Sequence, residues 1–464
     1  MDKFIAPSVN IAAVNRFFDK MKEKDFEIHT LEVFKNGETK LRIALPPYSC
    51  TDTPEVYSLS KTFTSTVVGI AVDKGFLSVE DYVLKFFPEI ETDCEHFHKL
   101  KVKHVLSMNT GQGGGIMWEM LLSDNALKSF FSFNPAYEPG SYFTYNTGAT
   151  CLLGMIVSRA TGMDFFDFAA ENLFYPMDMH NVYWLKCKDG SCQCGSGIHI
   201  SSDDTMKFFR MYLDKGIWNG KRIISESWIA EATSPVPGNT HKGTQEWVNQ
   251  YGYQIWLQEN GIYRGDGALG QLGIVIPEKN AVVVMQSHLV NPPYAIDAAI
   301  ELVSELDGNE EGTVCDYSFP PYERSDKLPC INRIYRLKEN PQDLRSVHLV
   351  VNDDGATLSF TDGGGNIINL NAGNGYWRES SFTAKNMTPY LKELPPNEMY
   401  ELLRTAACVK AEEDKLVFRI RYLSNPHTEH CNISFTEDTL DICISLAFIN
   451  GYEPCKNFSG TRIG

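Results

Sequence analysis

Apolar residues recur every three or four positions through Val9, Ile11, Ala12, Val14, Phe17, Phe18 and Met21, a spacing that predicts an amphipathic helix near the N-terminus. Two strands follow over 28–34 and 40–45. Lys35-Asn36-Gly37-Glu38 joins them, an Asn-Gly pair that suits a tight hairpin. An apolar run over 62–72 reads as a buried helix. From about 77 to 213 the pattern is mostly helical with Gly- and Pro-containing interruptions, as at 104–111 and 151–160. Strand character returns at 253–257, 271–276 and 281–286, the last two joined by Pro277-Glu278-Lys279-Asn280. A helix over 294–306 ends this part. Strands from both ends therefore frame a helical insertion, and an antiparallel sheet flanked by helices with a helical subdomain beside it is the α+β solution.

Beyond 306 the composition changes. Glu305 to Gly312 is polar and Gly-containing, and Pro320, Pro321 and Pro329 follow, which marks a linker. Strict alternation then appears at Leu416, Phe418, Ile420 and Tyr422, and again at Ile442, Ile444, Leu446 and Phe448. Asn352-Asp353-Asp354-Gly355 suits a hairpin turn between strands at 347–351 and 357–360. The expected division is a domain over 1–306 with its helical insertion at about 77–213, a linker over 307–340, and a small antiparallel β domain over 341–464.

The 464-residue length exceeds what one core usually fills, which agrees with a large domain and a smaller one. Hydrophobic residues make up 43%, enough for packed cores. A net charge of −17 argues against nucleic acid or an anionic membrane surface as partner. The N-terminal helix carries charges through its second half, unlike a signal peptide, and no apolar run is long enough to span a bilayer. The expectation is a cytoplasmic protein. Its twelve cysteines are scattered, as reduced core thiols would be. Cys187, Cys192 and Cys194, with His199 downstream, match no standard zinc spacing, so neither a metal nor another cofactor is expected.

Candidate chemistry begins at Ser58-Leu59-Ser60-Lys61, which is the one Ser-x-x-Lys spacing in the chain. Residues three apart share a helix face, so a hydroxyl and an amine stand together as nucleophile and base while Leu59, Phe63, Val67 and Ile70 turn inward. A helix start also offers free N–H groups to an anionic oxygen. The bland alternative is an amphipathic helix that Ser58 caps.

The segment 56–65 resembles the nucleophile segment of the serine β-lactamase and penicillin-recognising hydrolase superfamily. Two further strings extend the resemblance. The stretch 138–154 is similar to the family's Pro-Gly, Phe-x-Tyr-x-Asn, Leu-Leu-Gly run, and places Tyr145 on the family's catalytic tyrosine. Thr147 then stands where the family has Asn, and Asn146 sits one position early. Tyr263 to Gln271 looks like the Asp-Gly-Ala-x-Gly-Gln variant of the Lys-Thr-Gly strand found among 6-aminohexanoate-dimer hydrolase relatives, with Gly265 in the place of the basic residue. The resemblance covers about 28–306. It implies a β-lactamase-like fold, proton transfer by Lys61 and Tyr145, an oxyanion hole from the N–H groups of Ser58 and Ala268, and substrate contacts from Asn146, Thr147, Arg264, Asp266 and Gly267.

The leading expectation is a serine hydrolase acting on a small ester, amide or peptide-like substrate through an acyl-enzyme, close to class C β-lactamase-related esterases. The loss of the basic residue and the missing export signal turn it away from β-lactamase or D-amino-acid peptidase activity. A catalytically silent ligand-binding or sensing relative is the alternative from a different class. A Ser-His-Asp hydrolase lacks support, since no Gly-x-Ser-x-Gly elbow sits near a strand end and none of the eleven histidines has a recognisable pairing context. Oligomeric state is not legible.

Overall fold

A computed structural model of the chain describes residues 3–236, 250–289, 291–308, 312–385, 400–448 and 451–463. These residues form two compact units. The first takes in residues up to Ala44 and Cys50–Cys315, and the second takes in Leu45–Ser49 and everything from Asp316 onward.

In the first unit the described residues build an antiparallel sheet from β1 (Lys3–Ile5), β2 (Glu27–Lys35), β3 (Glu38–Ala44), β4 (Gln250–Tyr251), β5 (Trp256–Leu257), β6 (Tyr263–Gly267), β7 (Gln271–Ile276) and β8 (Ala281–His288). Their order is β1-β3-β2-β8-β7-β6-β5-β4. The N-terminal helix α1 (Ile11–Glu23) is capped by Asn10, whose side chain accepts from the Ala13 N–H, and it pairs with α5 (Pro292–Glu305). Helix α4 (Ser202–Leu213) lies on β2, β7 and β8. Between β3 and β4 runs the helical lobe, including α2 (Ser60–Asp73) and α3 (Thr147–Thr161). The two helices pack on each other, and Phe63, Val67 and Ile70 of α2 and Leu152, Leu153 and Ile156 of α3 all belong to one continuous core.

The hairpins fall where turn chemistry puts them, at Asn36-Gly37 between β2 and β3 and at 277–280 between β7 and β8. The expected strand over 253–257 does not form as one piece. Gln254 adopts a left-handed φ of 62° and turns its carboxamide to donate to the carbonyls of Val105 and Leu106, which leaves two short strands around it. An apolar-polar alternation had masked a side chain that bonds the helical lobe.

In the second unit ten strands run over β9 (Ile331–Leu337), β10 (Leu344–Asn352), β11 (Gly355–Asp362), β12 (Ile367–Gly373), β13 (Arg378–Lys385), β14 (Tyr400–Glu412), β15 (Lys415–Tyr422), β16 (Thr428–Phe435), β17 (Thr439–Phe448) and β18 (Gly451–Arg462). They are ordered β12-β11-β10-β9-β18-β17-β16-β15-β14-β13, and the pairing of Gly373 with Cys408 closes them into a barrel. Leu416, Phe418, Ile420, Tyr422, Ile442 and Ile444 all point into its core. The side chains of Leu446 and Phe448 lie outside the described set, as do residues 309–311 of the expected linker.

Two boundaries differ from the sequence reading. Strand β9 occupies 331–337, inside the stretch taken as linker, because its buried Ile331, Tyr335 and Leu337 alternate with polar positions too briefly to stand out beside the prolines before them. Leu45–Ser49 packs with the second unit, where Tyr48 meets Ala406 and Leu423.

A partly buried charge cluster ties α4 to the sheet. Arg42 on β3 grips Asp203 at the start of α4 through two bonds of 2.6 and 2.8 Å, and its cross-strand partner Glu32 on β2 is buried beside both. Burial, reinforced by the Asp203 carboxylate, pushes the Glu32 carboxyl up to about 8. Between its ordinary range and that value the folded chain holds a proton that the unfolded chain has released, so stability falls as pH rises through this window. A Glu32→Gln variant keeps the shape of the side chain without the titration. Its denaturation midpoint is expected to gain on the parent between pH 5 and 8, by at most about 1.4 kcal/mol per pH unit; parallel stability curves for the two proteins would refute this.

Candidate active site

The chain enters α2 through a tight turn over Tyr57–Leu59. Tyr57 sits at a φ of +47°, a left-handed conformation that a bulky side chain adopts only when its surroundings impose it. Ser58 follows directly. Its side chain does not cap the helix, which has Leu59 in that position and no side-chain cap. The Ser58 hydroxyl is instead free to face Lys61 one turn on, and Lys61 Nζ lies 3.0 Å from Ser58 Oγ.

Lys61 is 1% exposed. Its amine has three neighbours, Ser58 Oγ, Thr147 Oγ1 at 3.1 Å and the Gly195 carbonyl at 2.6 Å. All three are neutral, so they offset little of the cost of removing an ammonium from water, and burial, against a smaller opposing influence from Cys151, lowers the amine from 10.5 to about 7. At pH 7 about half of such amines are neutral, against fewer than about one in a thousand for an ordinary lysine. The number of neighbours matters as much. A neutral amine has two hydrogens and one lone pair; with the hydrogens on Thr147 and Gly195, the lone pair is left for the Ser58 hydroxyl.

The Gly195 carbonyl is held over Lys61 by α2 itself. Thr64 Oγ1 donates to the Cys194 carbonyl at 2.8 Å, Ser60 Oγ bonds the Ser196 carbonyl, and the Ile198 N–H donates to Ser60 Oγ at 3.2 Å. A Cβ on residue 195 would come within 2.6 Å of Thr147, so glycine lets this loop press against the start of α3. Sequence reasoning missed Gly195, Ser60 and Thr64. The available signal was the placing of hydroxyls on the buried side of an otherwise apolar helix.

Tyr145 approaches the same point from the turn before α3. Burial drives the phenol well above its ordinary value, with the nearby Ser58 side chain as a smaller opposing influence. Lys61 Nζ lies 4.8 Å from the centre of its ring. Thr147, one turn before Cys151 on α3, completes the group. Ser58, Lys61, Tyr145 and Thr147 are therefore brought together.

Asn146 is not part of that group, which corrects its reading as a substrate contact. It is fully buried as the N-cap of α3, where its Oδ1 accepts from the N–H groups of Gly148, Ala149 and Ile116, and its Nδ2 donates to Gln112. Asn is among the strongest N-cap residues, and the cap uses up the amide. Arg264 is likewise corrected as a source of free charge. It is fully buried and bonds Asp266 at 3.3 Å. Asp266 keeps 14% of its side chain exposed.

Strand β6 passes close to the Ser58 turn. A Cβ on Gly267 would lie 2.1 Å from the Val56 carbonyl and 3.2 Å from the Leu59 nitrogen, so backbone meets backbone here and Ala268 follows at once, exposed. At Gly265 a Cβ would meet Leu59, Thr62 and Phe209 at 2.4 to 2.9 Å. No basic side chain fits at that position without moving the strand off α2. Elsewhere in the unit, Cys187, Cys192 and Cys194 are buried thiols, and His199 is buried with its Nδ1 against the Tyr183 hydroxyl and the Thr53 carbonyl. Among the described residues no cluster of metal-ligating side chains is present.

The profile of the Beta-lactamase family matches residues 19–305, a span that contains this whole constellation. Among curated proteins, a β-lactamase of Escherichia coli K12 is 22% identical over 46% of this chain and 56% of its own length. The 6-aminohexanoate-dimer hydrolase of Paenarthrobacter ureafaciens is 22% identical over 51% of this chain and 66% of its own length. The chain thus spans a little over half to two thirds of these relatives. Among solved structures, the octameric penicillin-binding protein homologue from Pyrococcus abyssi matches 97% of this chain and 99% of its own, at 16% identity and a TM-score of 0.51, a likeness of fold. With its match running from α1 to the end of α5 and covering more than half of the sequence, the chain belongs to the Beta-lactamase family.

Proposed function

We propose that this protein is a serine hydrolase that cleaves a small ester or amide through an acyl-enzyme on Ser58. The observation that carries the reading is the neutral cage around Lys61, which tunes an amine to about 7 at 3.0 Å from a serine hydroxyl. A general base is most effective when its pKa lies near the working pH.

Neutral Lys61 takes the Ser58 proton as Oγ attacks the carbonyl carbon. The carbonyl oxygen becomes an oxyanion, which the N–H groups of Ser58 and Ala268 bind at the contact between β6 and the Ser58 turn. Tyr145, kept neutral by burial, passes a proton to the departing alcohol or amine and takes the Ser58 proton from Lys61 in its place, so both groups end neutral. Water then enters, gives a proton to Lys61 as it attacks the acyl carbon, and that proton goes to Ser58 Oγ as the acid leaves, restoring Ser58. Thr147 and Gly195 hold the amine so that its lone pair faces Ser58 whenever Lys61 is neutral. No metal or cofactor is required by these steps.

Esters and simple amides are favoured over β-lactams or cell-wall peptides as substrates. The position where the family strand carries a basic residue is filled by Leu59, Thr62 and Phe209, and Arg264 is committed to Asp266. A substrate carboxylate finds no free cation from this strand. A silent ligand-binding relative is disfavoured because Thr147, the most visible departure, still bonds Lys61.

Ser58→Ala is expected to abolish both labelling by a fluorophosphonate probe and hydrolysis of p-nitrophenyl butyrate; labelling of the variant at the parent rate would sink the assignment. For the parent, kcat/KM should climb with pH and level off through a value near 7 as Lys61 loses its proton, and Lys61→Arg, which cannot deprotonate, should fall at least about a hundredfold. A flat profile between pH 5 and 9 would remove Lys61 as the base. Short acyl esters should be turned over faster than a chromogenic cephalosporin, and the opposite ranking would return the substrate to the β-lactam class.

A further inference from the structure

Tyr145 is positioned by a residue from the far edge of the sheet. Trp256 on β5 lies with its indole nearly parallel to the Tyr145 ring, 5.5 Å between centroids at 14°. Tyr251 on β4 stands edge-on to both, at 6.2 Å and 82° from Tyr145 and at 4.6 Å and 77° from Trp256. Phe143 closes the group, 5.3 Å from Tyr251 and 6.4 Å from Trp256. Offset-stacked and edge-to-face arrangements are the favourable ones for aromatic rings, so the four constrain one another's planes. Tyr251 is buried, whereas Trp256 is only partly so.

Tyr145 needs such support. It comes from the irregular stretch before α3, and its neighbour Asn146 is spent on the helix cap. Its ring centre lies 4.8 Å from Lys61 Nζ, and the Ser58 side chain is near enough to act on its hydroxyl. A rotation of the ring about its own chain would disturb both at once. The stacked indole opposes this rotation, and β5 is anchored to β6 by the pairing of Arg264 with Trp256. The strand that approaches the Ser58 turn thus also sets the register of the residue that orients Tyr145.

We propose that Trp256 is a positioning residue for proton transfer, acting through Tyr145 by stacking on its ring so that the phenol stays between Ser58 and Lys61. The inference rests on the serine hydrolase reading of the site. It goes beyond it in assigning a task to a residue that carries no acid, base or nucleophile.

The test is a double-mutant cycle in the full chain with p-nitrophenyl butyrate. Trp256→Leu, which keeps apolar bulk without the flat face, should lower kcat about tenfold or more with KM within about threefold, while Trp256→Phe should stay within about threefold of the parent in both. In a Tyr145→Phe background, Trp256→Leu should cost less than about twofold, because the hydroxyl it positions is already gone. Each variant is checked for a parental thermal transition, and if Trp256→Leu lacks one, Trp256→Met takes its place in the cycle. The proposal is overturned if the loss appears in KM with kcat unchanged, if Trp256→Phe is as impaired as Trp256→Leu, or if the two single losses multiply in the double variant. Failure of the hydrolase reading shows separately, as Ser58→Ala that keeps its labelling and activity.

Discussion

An amine buried with only neutral oxygen atoms around it is the constraint on which the rest of the first unit depends. A carboxylate beside Lys61 would have stabilised the fold more and held the amine protonated. The chain instead accepts the desolvation cost and surrounds Nζ with a serine, a threonine and a carbonyl. Much of the nearby architecture follows from keeping those three in place: hydroxyls on the inner side of α2, a glycine at 195, and an amide cap that fixes where α3 begins.

The same constraint explains why substitutions that look like losses of function in the sequence are compatible with an intact site. Thr147 in place of an amide supplies one oxygen to Lys61, and one is what the cage needs from that direction. Glycine at 265 lets β6 settle against Leu59 and Thr62, which brings the following backbone to the Ser58 turn. Both changes leave Lys61 in contact with Ser58.

Elements whose signal is local were legible. The helix of Ser58 and Lys61, the Asn36-Gly37 and 277–280 turns and the alternation of the barrel strands are written in periods of a few residues. Contacts between distant segments were not. Gly195 meets Lys61 across 134 positions, and nothing in a glycine-containing loop between cysteines announces a carbonyl acceptor. Asn146 differs for another reason: the resemblance, in which the Asn stands one position later, implied a substrate contact, while its place directly before a helix suits a cap. Arg264 looked available because strand alternation says which face a side chain takes, not what already lies there.

The excursion of Leu45–Ser49 bears on how separable the two units are. The family match runs without interruption through those five residues, yet Tyr48 belongs to a core made by Ala406 and Leu423. Only eight positions lie between Ser49 and Ser58. A cut after α5 would yield a chain with every residue of the family match and none of the surface that Tyr48 packs on, so the two units are fused in a stronger sense than a linker implies. Shuffling the barrel onto another member of the family would require transferring this internal segment with it, and the boundary of the heritable module is therefore not a point in the sequence.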